Sequence, residues 1–261
     1  MKAMILAAGL GTRLRPLTDD RPKALVTVAG RTLLEIAISR LRSIGVREVI
    51  VNAHHYADMI SEYLKANHNF GIRIEVSRED ELLDTGGGLK KAAWFFQESG
   101  NGVAANEPFL VHNVDVISNI DLASMLRFHN DHTALATLAV QQRETSRYLL
   151  FNKEGQLCGR RKSHPSPTES DAPQPHLASG SPEALAFSGI HIISPRIFPK
   201  LTEQGAFSII DAYLRLAAEG EKILCFHADG SYWRDLGRPD SIAHAALDIA
   251  SGNLPNASDS G

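Results

Sequence analysis

The sequence predicts an α/β fold with a doubly wound, mostly parallel sheet and helices on both of its faces. Two observations support this prediction. Short apolar runs of strand length alternate with segments whose apolar residues recur every three or four positions. This alternation favours parallel strands, because each strand reaches the next one through a crossover helix. The chain has 261 residues, of which 43% are hydrophobic, and this suffices for one large core.

The individual elements follow from the same patterns in chain order. From Arg31 to Ile44 the apolar residues recur at helical spacing, and Gly45 follows as a typical C-cap. The predicted strands are residues 3–6, 48–53, 72–77, 109–113, 133–140, 184–193 and 222–227. The predicted helices are residues 31–44, 56–66, 88–97, 122–129, 195–201, 208–218 and 240–250. Ligands of such sheets bind at the carboxyl ends of the strands, so polar residues there are candidate site residues.

The pattern predicts one domain over residues 1–250. Residues 163–182 interrupt it, because they are rich in Pro, Ser, Thr and His and poor in core residues. We expect this segment to be an exposed loop insertion. Residues 251–261 contain no helical or strand pattern and are expected to form a flexible tail.

Composition limits the partners and the compartment. The net charge is −3 and no basic stripe is present, so we expect no nucleic-acid partner. The two cysteines, Cys158 and Cys225, lie far apart without metal-ligand spacing, which is typical of a reducing compartment. A strand begins at once at the N-terminus and no apolar stretch has the length of a membrane helix. We therefore expect a cytoplasmic protein with no membrane partner; the sequence does not specify an oligomeric state.

A loop of small and basic residues follows the first strand. Two known phosphate loops are excluded, because Gly11 is followed by Thr12 and Arg13 rather than by Gly-Lys-Ser/Thr, and no third glycine opens a helix. Small residues nevertheless let a polyphosphate approach the backbone N–H groups, and Arg13 and Lys23 supply positive charge. The loop therefore predicts a site for a nucleoside triphosphate. Its candidate nucleotide-binding residues are Ala7, Ala8, Gly9, Gly11, Thr12, Arg13 and Lys23.

The whole string Gly-x-Gly-Thr-Arg-Leu-x-Pro-Leu-Thr at residues 9–18, with Pro22 and Lys23 behind it, resembles the signature loop of the sugar-1-phosphate nucleotidyltransferases. This resemblance, which extends in order over residues 1–250, implies a Rossmann-like fold of the nucleotide-diphospho-sugar transferase type. It also implies that the substrates are an NTP and a sugar 1-phosphate. Arg13 and Lys23 would then be catalytic, since two anions must be aligned and the leaving pyrophosphate neutralised.

Two aspartates are candidate Mg²⁺ ligands, because Mg²⁺ prefers one or two carboxylates together with phosphate oxygens and water. Asp115 follows the predicted strand 109–113, in a place where the family has an Asp, although Val114 stands where the family typically has a glycine. Asp235 lies in a segment that resembles the family's Trp-x-Asp-x-Gly-x-Pro element, whose Asp is the second metal ligand. The alternative for each is an aspartate that caps a turn or helix.

Other candidates bind the base and the sugar. Gly86 and Gly87 belong to a glycine-rich run before the predicted helix and resemble the family loop that contacts the base and ribose. Asn113 and Gly189 are the candidate partners of the sugar. The family's Glu-Lys-Pro element, whose Lys holds the sugar phosphate, is absent. Lys162, in the basic run 160–162, is the candidate replacement, and a solvated basic turn is the alternative reading of that run.

Several activities compete for these residues. The glycine loop and the segment Phe187–Gly189 favour UTP with N-acetylmuramate 1-phosphate, and guanylyl transfer to mannose or heptose 1-phosphate is the alternative. A glycosyltransferase usually presents Asp-x-Asp, whereas residues 113–115 are Asn-Val-Asp. A non-catalytic nucleotide sensor would be expected to lack Arg13, Lys23 or a metal-ligating aspartate.

Overall fold

A computed structural model describes residues 1–98, 107–163 and 181–252. Within these ranges the strands are β1 (Lys2–Leu6), β2 (Thr27–Val28), β3 (Arg31–Thr32), β4 (Glu48–Ala53), β5 (Arg73–Arg78), β6 (Phe109–Asn113), β7 (Val116–Ser118), β8 (Ala136–Gln141), β9 (Arg147–Phe151), β10 (Leu157–Lys162), β11 (Glu183–Ile193), β12 (Ile223–His227) and β13 (Trp233–Asp235). The α-helices are α1 (Leu33–Ser43), α2 (Ala57–Ala66), α3 (Asp84–Lys91), α4 (Ala93–Gln97), α5 (Leu122–Asp131), α6 (Ile209–Ala218) and α7 (Pro239–Ala250). Short 3-10 helices span Thr12–Leu14, Lys23–Leu25, His68–Gly71 and Pro195–Lys200. Nearly all of the expected loop 163–182 and tail 251–261 lies outside the described residues.

Nine strands form the main sheet, in the order β10-β9-β11-β6-β1-β4-β5 with β8 on β11 and β12 on β8. Seven of the nine run in one direction, and β10 and β11 run opposite to them. The prediction of a mostly parallel α/β sheet is confirmed. β11 pairs with β8 along one edge, and along the other edge with β9 through residues 183–186 and with β6 through residues 190–193.

Side chains of the central strands alternate between two hydrophobic clusters, one on each face of the sheet. On β1, Ala3 and Ile5 belong to one cluster and Met4 to the other, because successive strand residues point to opposite faces. The first cluster includes apolar residues of α1, α2 and α5, and the second includes those of α3, α4 and α6. Helices therefore cover both faces, as the sequence predicts. In the described ranges no helix is long and apolar enough to cross a membrane.

Local signals explain where several elements begin and end. The Thr32 side chain accepts a hydrogen bond from the Glu35 N–H at 3.0 Å and caps α1, and Gly45 follows the helix with φ +86°.

The prediction was wrong for α3, which begins at Asp84 rather than at residue 88. It also missed the two-residue strands β2 and β3, and it missed β7, β9, β10 and β13. Two of these are three residues long, and β10 is a polar, largely exposed edge strand without an apolar alternation.

Three histidines are buried in the core: His112, His129 and His191. Burial lowers the pKa of His112 and of His129 to about 4, and that of His191 to about 3, from an ordinary value of 6.5. Each ring has a neutral partner, since the Nδ1 of His129 lies 2.9 Å from the Thr137 hydroxyl and that of His191 lies 2.7 Å from the Tyr213 hydroxyl. These imidazoles are therefore neutral in the folded protein at pH 7.

We predict that the free energy of unfolding decreases as the pH falls from 6.5 towards 4. In this range the unfolded chain binds protons at the three imidazoles and the folded chain does not, so acid favours unfolding. Urea titrations at stepped pH values measure the slope. In His129→Gln the slope should decrease by about 1.4 kcal/mol per pH unit, whereas His55→Gln, at an exposed position, is the control. An unchanged slope in His129→Gln would contradict the prediction.

Candidate active site

The loop after β1 leaves a row of backbone N–H groups without acceptors. Within the described residues, the N–H groups of residues 8–12 donate to no other backbone or side-chain atom. The carbonyl of Gly11 holds the turn, because it accepts from the Leu14 N–H at 2.8 Å and the Thr18 hydroxyl at 2.9 Å. Gly11 has φ +65°, and a Cβ added there would lie 3.0 Å from the Thr18 side chain. Such a row of free donors is suited to an anion.

Ala7 differs from the rest of this loop, because its N–H is already used inside the protein. It donates to Asn52 Oδ1 at 2.7 Å, and Asn52 Nδ2 donates to Glu79 Oε1 at 2.7 Å. The other Glu79 oxygen accepts the Leu83 N–H at 3.0 Å. Asn52 and Glu79 are 2% and 4% exposed, respectively. This buried chain of hydrogen bonds connects the loop to the start of α3, and it leaves no donor on Ala7 for a nucleotide.

The two candidate metal ligands come together through a short antiparallel pair of strands. β13 pairs with β7 so that Asp235 lies opposite Val116, and the Leu236 N–H donates to the Asp115 carbonyl at 2.8 Å. Because Val116 follows Asp115 directly, the two aspartates are close neighbours across this pair. The strands place both at the edge of the main sheet where β6 ends.

Both predicted catalytic cations lie beside these aspartates. Lys23 Nζ donates to the Asp115 carboxylate, with the two side chains 12% and 13% exposed. A Cβ added to Gly237 would lie 2.7 Å from Asp235 Oδ1 and 2.8 Å from Arg13 Nη2. Gly237 thus leaves the space in which the guanidinium and the carboxylate approach each other. The structure brings together four of the charged residues that the sequence selected.

This donor set fits a Mg²⁺ ion. Two carboxylates on paired strands lie beside the open N–H groups of the loop, and Mg²⁺ takes one or two carboxylates together with phosphate oxygens and water. In the described part of the chain no cluster of three or more His, Cys, Asp or Glu side chains is arranged to hold a metal. The set is therefore unlike a closed structural metal site, in which protein side chains supply all ligands.

The glycine-rich run forms the first turns of α3 instead of a loop before it. The Gly86 N–H donates to the Phe207 carbonyl at 2.9 Å, and a Cβ on Gly86 would lie 2.3 Å from the Phe207 ring. A Cβ on Gly87 would lie 2.5 Å from the Gly205 carbonyl oxygen. Close packing against residues 205–207 therefore explains why both positions are glycine. Contact of Gly86 and Gly87 with the nucleotide stays a prediction.

On the sugar side, the structure places Asn113 against Gly189. Gly189 has φ +73°, and a Cβ there would lie 2.8 Å from Asn113 Nδ2. Lys162 lies on the outer strand β10, in register with Arg147 of β9. Its strand is two strand spacings from β11, roughly 10 Å. The structure therefore brings Asn113 and Gly189 together and leaves Lys162 at the periphery, where its binding of a sugar phosphate stays a prediction.

Sequence reasoning missed two residues of this region, Glu79 and Arg143. It placed Asn52 near the carboxyl end of a predicted strand, at the ligand side of the sheet, but gave it no function. Glu79 follows β5 in the same way. Arg143 comes two residues after β8 and has no motif around it, so only the folded structure reveals its position.

A family model described as nucleotidyl transferase matches residues 2–252. The N-acetylmuramate alpha-1-phosphate uridylyltransferase of Caulobacter vibrioides is 32% identical over 95% of this chain and 96% of its own length. The mannose-1-phosphate guanylyltransferase catalytic subunit beta of Dictyostelium discoideum is 30% identical over 92% of this chain, which spans only 62% of that protein. The chain therefore belongs to the nucleotidyl transferase family and is an enzyme of the sugar-1-phosphate nucleotidyltransferase class.

Solved structures agree in fold. HddC from Yersinia pseudotuberculosis, complexed with GMP-PN, superposes with a TM-score of 0.72 at 20% identity, over 95% of this chain and 99% of that chain. The inositol-1-phosphate CTP transferase from T. maritima gives a TM-score of 0.72 at 15% identity, over 96% of each chain. These similarities confirm the predicted nucleotide-diphospho-sugar transferase type of fold.

We predict that Asn52→Ala lowers the free energy of unfolding by about 3 kcal/mol. The substitution leaves the buried Ala7 N–H without its acceptor and Glu79 with one donor fewer, and unsatisfied buried polar groups are costly. Urea denaturation measures the change. Asn130→Ala, at an exposed position of α5, is the matched control and should change stability by less than about 0.5 kcal/mol. Equal stabilities of the two variants would show that the network is not structural.

Proposed function

We propose that this enzyme transfers a uridylyl group from UTP to N-acetylmuramate 1-phosphate and releases pyrophosphate. The observation that carries this choice of substrates is the match to the Caulobacter uridylyltransferase, which covers 96% of that protein's length. The guanylyltransferase match covers 62% of a longer protein. The product would be an activated form of a cell-wall sugar, made in the cytoplasm.

The residues of the site fit each part of this reaction. A phosphate oxygen of the sugar 1-phosphate attacks the α-phosphorus, a new P–O bond forms, and the bond to the β-phosphate oxygen breaks as pyrophosphate leaves with the electron pair. The attacking oxygen is already anionic at neutral pH, so no strong general base is needed. The N–H groups of residues 8–12 bind the triphosphate, and Arg13 and Lys23 offset the charge that accumulates on the leaving group.

Asp115 and Asp235 are the residues that would hold Mg²⁺ in this proposal. The ion, when bound, neutralises phosphate oxygens and helps to orient the two substrates. Asp115 also orients Lys23 through their ion pair, and Asp235 lies beside Arg13. Asp115 therefore has a second function, because it holds a cation that faces the phosphates. Asn113, with Gly189 against it, is placed to bind a sugar hydroxyl.

Guanylyl transfer to mannose 1-phosphate is the second candidate. Its support is the identity of 30–33% to mannose-1-phosphate guanylyltransferases from Dictyostelium discoideum and Arabidopsis thaliana, nearly the same as for the uridylyltransferase. Base selection depends on a few hydrogen bonds, each contributing about 1–3 kcal/mol when the wrong base leaves them unmade.

A substrate grid separates the two candidates. Pyrophosphate release is measured with Mg²⁺ for five NTPs (ATP, CTP, GTP, UTP and dTTP) against N-acetylmuramate, N-acetylglucosamine, mannose, glucose and heptose 1-phosphates. We predict the highest kcat/KM for UTP with N-acetylmuramate 1-phosphate. A preference for GTP with mannose or heptose 1-phosphate would replace this substrate assignment and keep the class. Omission of Mg²⁺ should abolish release with every pair.

We predict that Asp115→Asn and Asp235→Asn each lower kcat at least about 100-fold, because each loses one charged ligand of the proposed ion. Asp131→Asn, an exposed aspartate on α5, is the matched control and should keep wild-type turnover. Circular dichroism and thermal denaturation check that both variants are folded, since Asp115→Asn also removes the partner of Lys23. Near-normal turnover in both folded variants would exclude the metal assignment.

A further inference from the structure

Arg143 is held over Trp233 at the side of the candidate site. Its guanidinium carbon lies 3.6 Å from the centre of the Trp233 ring system, a stacking distance. One Nη2 hydrogen is donated to the Phe187 carbonyl at 2.7 Å. Trp233 is itself fixed, because its Nε1 donates to the Ser188 carbonyl at 2.7 Å. The guanidinium is therefore oriented by the protein in the absence of a ligand.

Arg143 has no ion-pair partner among the described residues. Its Nε is buried without a hydrogen-bond partner. Burial lowers the pKa of Arg143, and Asp235 and Tyr148 act in the opposite direction. Arg40 shares the buried Nε and the lowering of its pKa by burial, so the place of Arg143 in the fold, rather than its burial, decides its function.

The position of Arg143 in the fold indicates which ligand it binds. Trp233 and Asp235 are two residues apart on β13, so both side chains point to the same face, about 7 Å apart along the strand. Asp235, the proposed Mg²⁺ ligand, lies at one end of that face. The Arg143 guanidinium stacks on Trp233 at the other end.

Near Arg143, strand β11 has a gap in its pairing along one edge. β11 changes partners between β9, which ends its pairing at Ala186, and β6, which begins at Ile190. The intervening carbonyls of Phe187 and Ser188 accept hydrogen bonds from Arg143 and Trp233, respectively. Gly189 follows, against Asn113. Arg143 thus lies between the proposed Mg²⁺ ligand and the residues expected to contact the sugar.

We propose that Arg143 binds an oxyanion of the sugar 1-phosphate, the task for which the sequence offered Lys162. The proposal rests on the proposed function, since it assigns a residue to the second substrate of that reaction. A guanidinium presents two parallel N–H groups that match a phosphate or a carboxylate, and the stack on Trp233 fixes their plane. Lys162 lies on the outer strand, whereas Arg143 lies next to the face that bears Asp235.

Two groups of the substrate have the required chemistry. Every sugar 1-phosphate offers its phosphate, and N-acetylmuramate also has the carboxylate of its lactyl ether. N-acetylglucosamine 1-phosphate has the same ring and phosphate without the lactyl group. Comparing the two ligands therefore identifies the oxyanion that Arg143 binds.

The test is equilibrium binding, which needs no turnover. Calorimetry measures the Kd of N-acetylmuramate 1-phosphate and of N-acetylglucosamine 1-phosphate, with Mg²⁺ and a non-hydrolysable UTP analogue present. We expect Arg143→Gln to weaken sugar 1-phosphate binding about 30–100-fold, as for the loss of one partner of a buried charged pair. Arg143→Lys, which keeps the charge but not the paired N–H groups, should weaken it less. The Kd of the UTP analogue alone should change less than twofold in both variants.

Arg40→Gln is the matched control. Arg40 also has a buried Nε without a partner and donates Nη2 to a backbone carbonyl, that of Ile120. This variant removes a comparable guanidinium and should leave both sugar 1-phosphate Kd values unchanged. It separates the loss of a ligand contact from a general loss of stability.

Each outcome of this test decides the proposal. Weaker binding of both sugars in Arg143→Gln assigns Arg143 to the phosphate, and weaker binding of N-acetylmuramate 1-phosphate alone assigns it to the carboxylate. Unchanged Kd values in Arg143→Gln, an equal effect in Arg40→Gln, or no sugar 1-phosphate binding to the wild type overturns the proposal. The proposed function fails separately, in the substrate grid, if the wild type binds these ligands and releases no pyrophosphate.

Discussion

The pairing of β13 with β7 is the contact on which the candidate site depends. Asp115 and Asp235 are 120 positions apart in the sequence. Three paired residues of β7 and β13 bring them together. The Leu236 N–H to the Asp115 carbonyl extends the pairing by one further hydrogen bond. Because these are backbone bonds at the end of a rigid sheet, the two carboxylates are positioned before any ligand arrives, which favours catalysis by preorganisation.

Charge balance is the second constraint. Lys23 forms an ion pair with Asp115, and Arg13 lies beside Asp235 without an ion pair in the described residues, so a positive charge lies near each of the two acids. The same cations face the free N–H groups of residues 8–12. Arg143 likewise forms no ion pair within the described residues, and the charge of Asp235 acts on it as well. It differs in being fixed by the stack on Trp233 and by the hydrogen bond to the Phe187 carbonyl, on the side where the sugar is expected.

The buried Asn52 and Glu79 connect the two halves of the nucleotide side. They join the Ala7 N–H, at the start of the loop, to the Leu83 N–H, just before α3. Glycines at 86 and 87 then allow α3 to pack against residues 205–207. Hydrogen bonds inside the protein therefore fix the loop relative to the start of α3. Ala7, although predicted to bind nucleotide, uses its N–H donor in this network.

The sequence by itself determined the α/β class, most strands of the main sheet and most helices. It also determined the loop of residues 7–12 and the choice of four charged candidates: Arg13, Lys23, Asp115 and Asp235. These are local features, since hydrophobic periodicity and short motifs depend on neighbouring residues. Short strands such as β7 and β13 were missed because three residues show no periodicity and exist only through their partner.

Only the tertiary structure decided which of these residues meet. The nearness of Asp115 to Asp235, the connection through Asn52 and Glu79, and the position of Arg143 over Trp233 depend on contacts between residues 27 to 120 positions apart. Likewise, the start of α3 at Asp84 is set by packing against residues 205–207, which overrides the weak helix propensity of three glycines. Local sequence preferences do not record such distant contacts, because their energies arise only when the chain is folded.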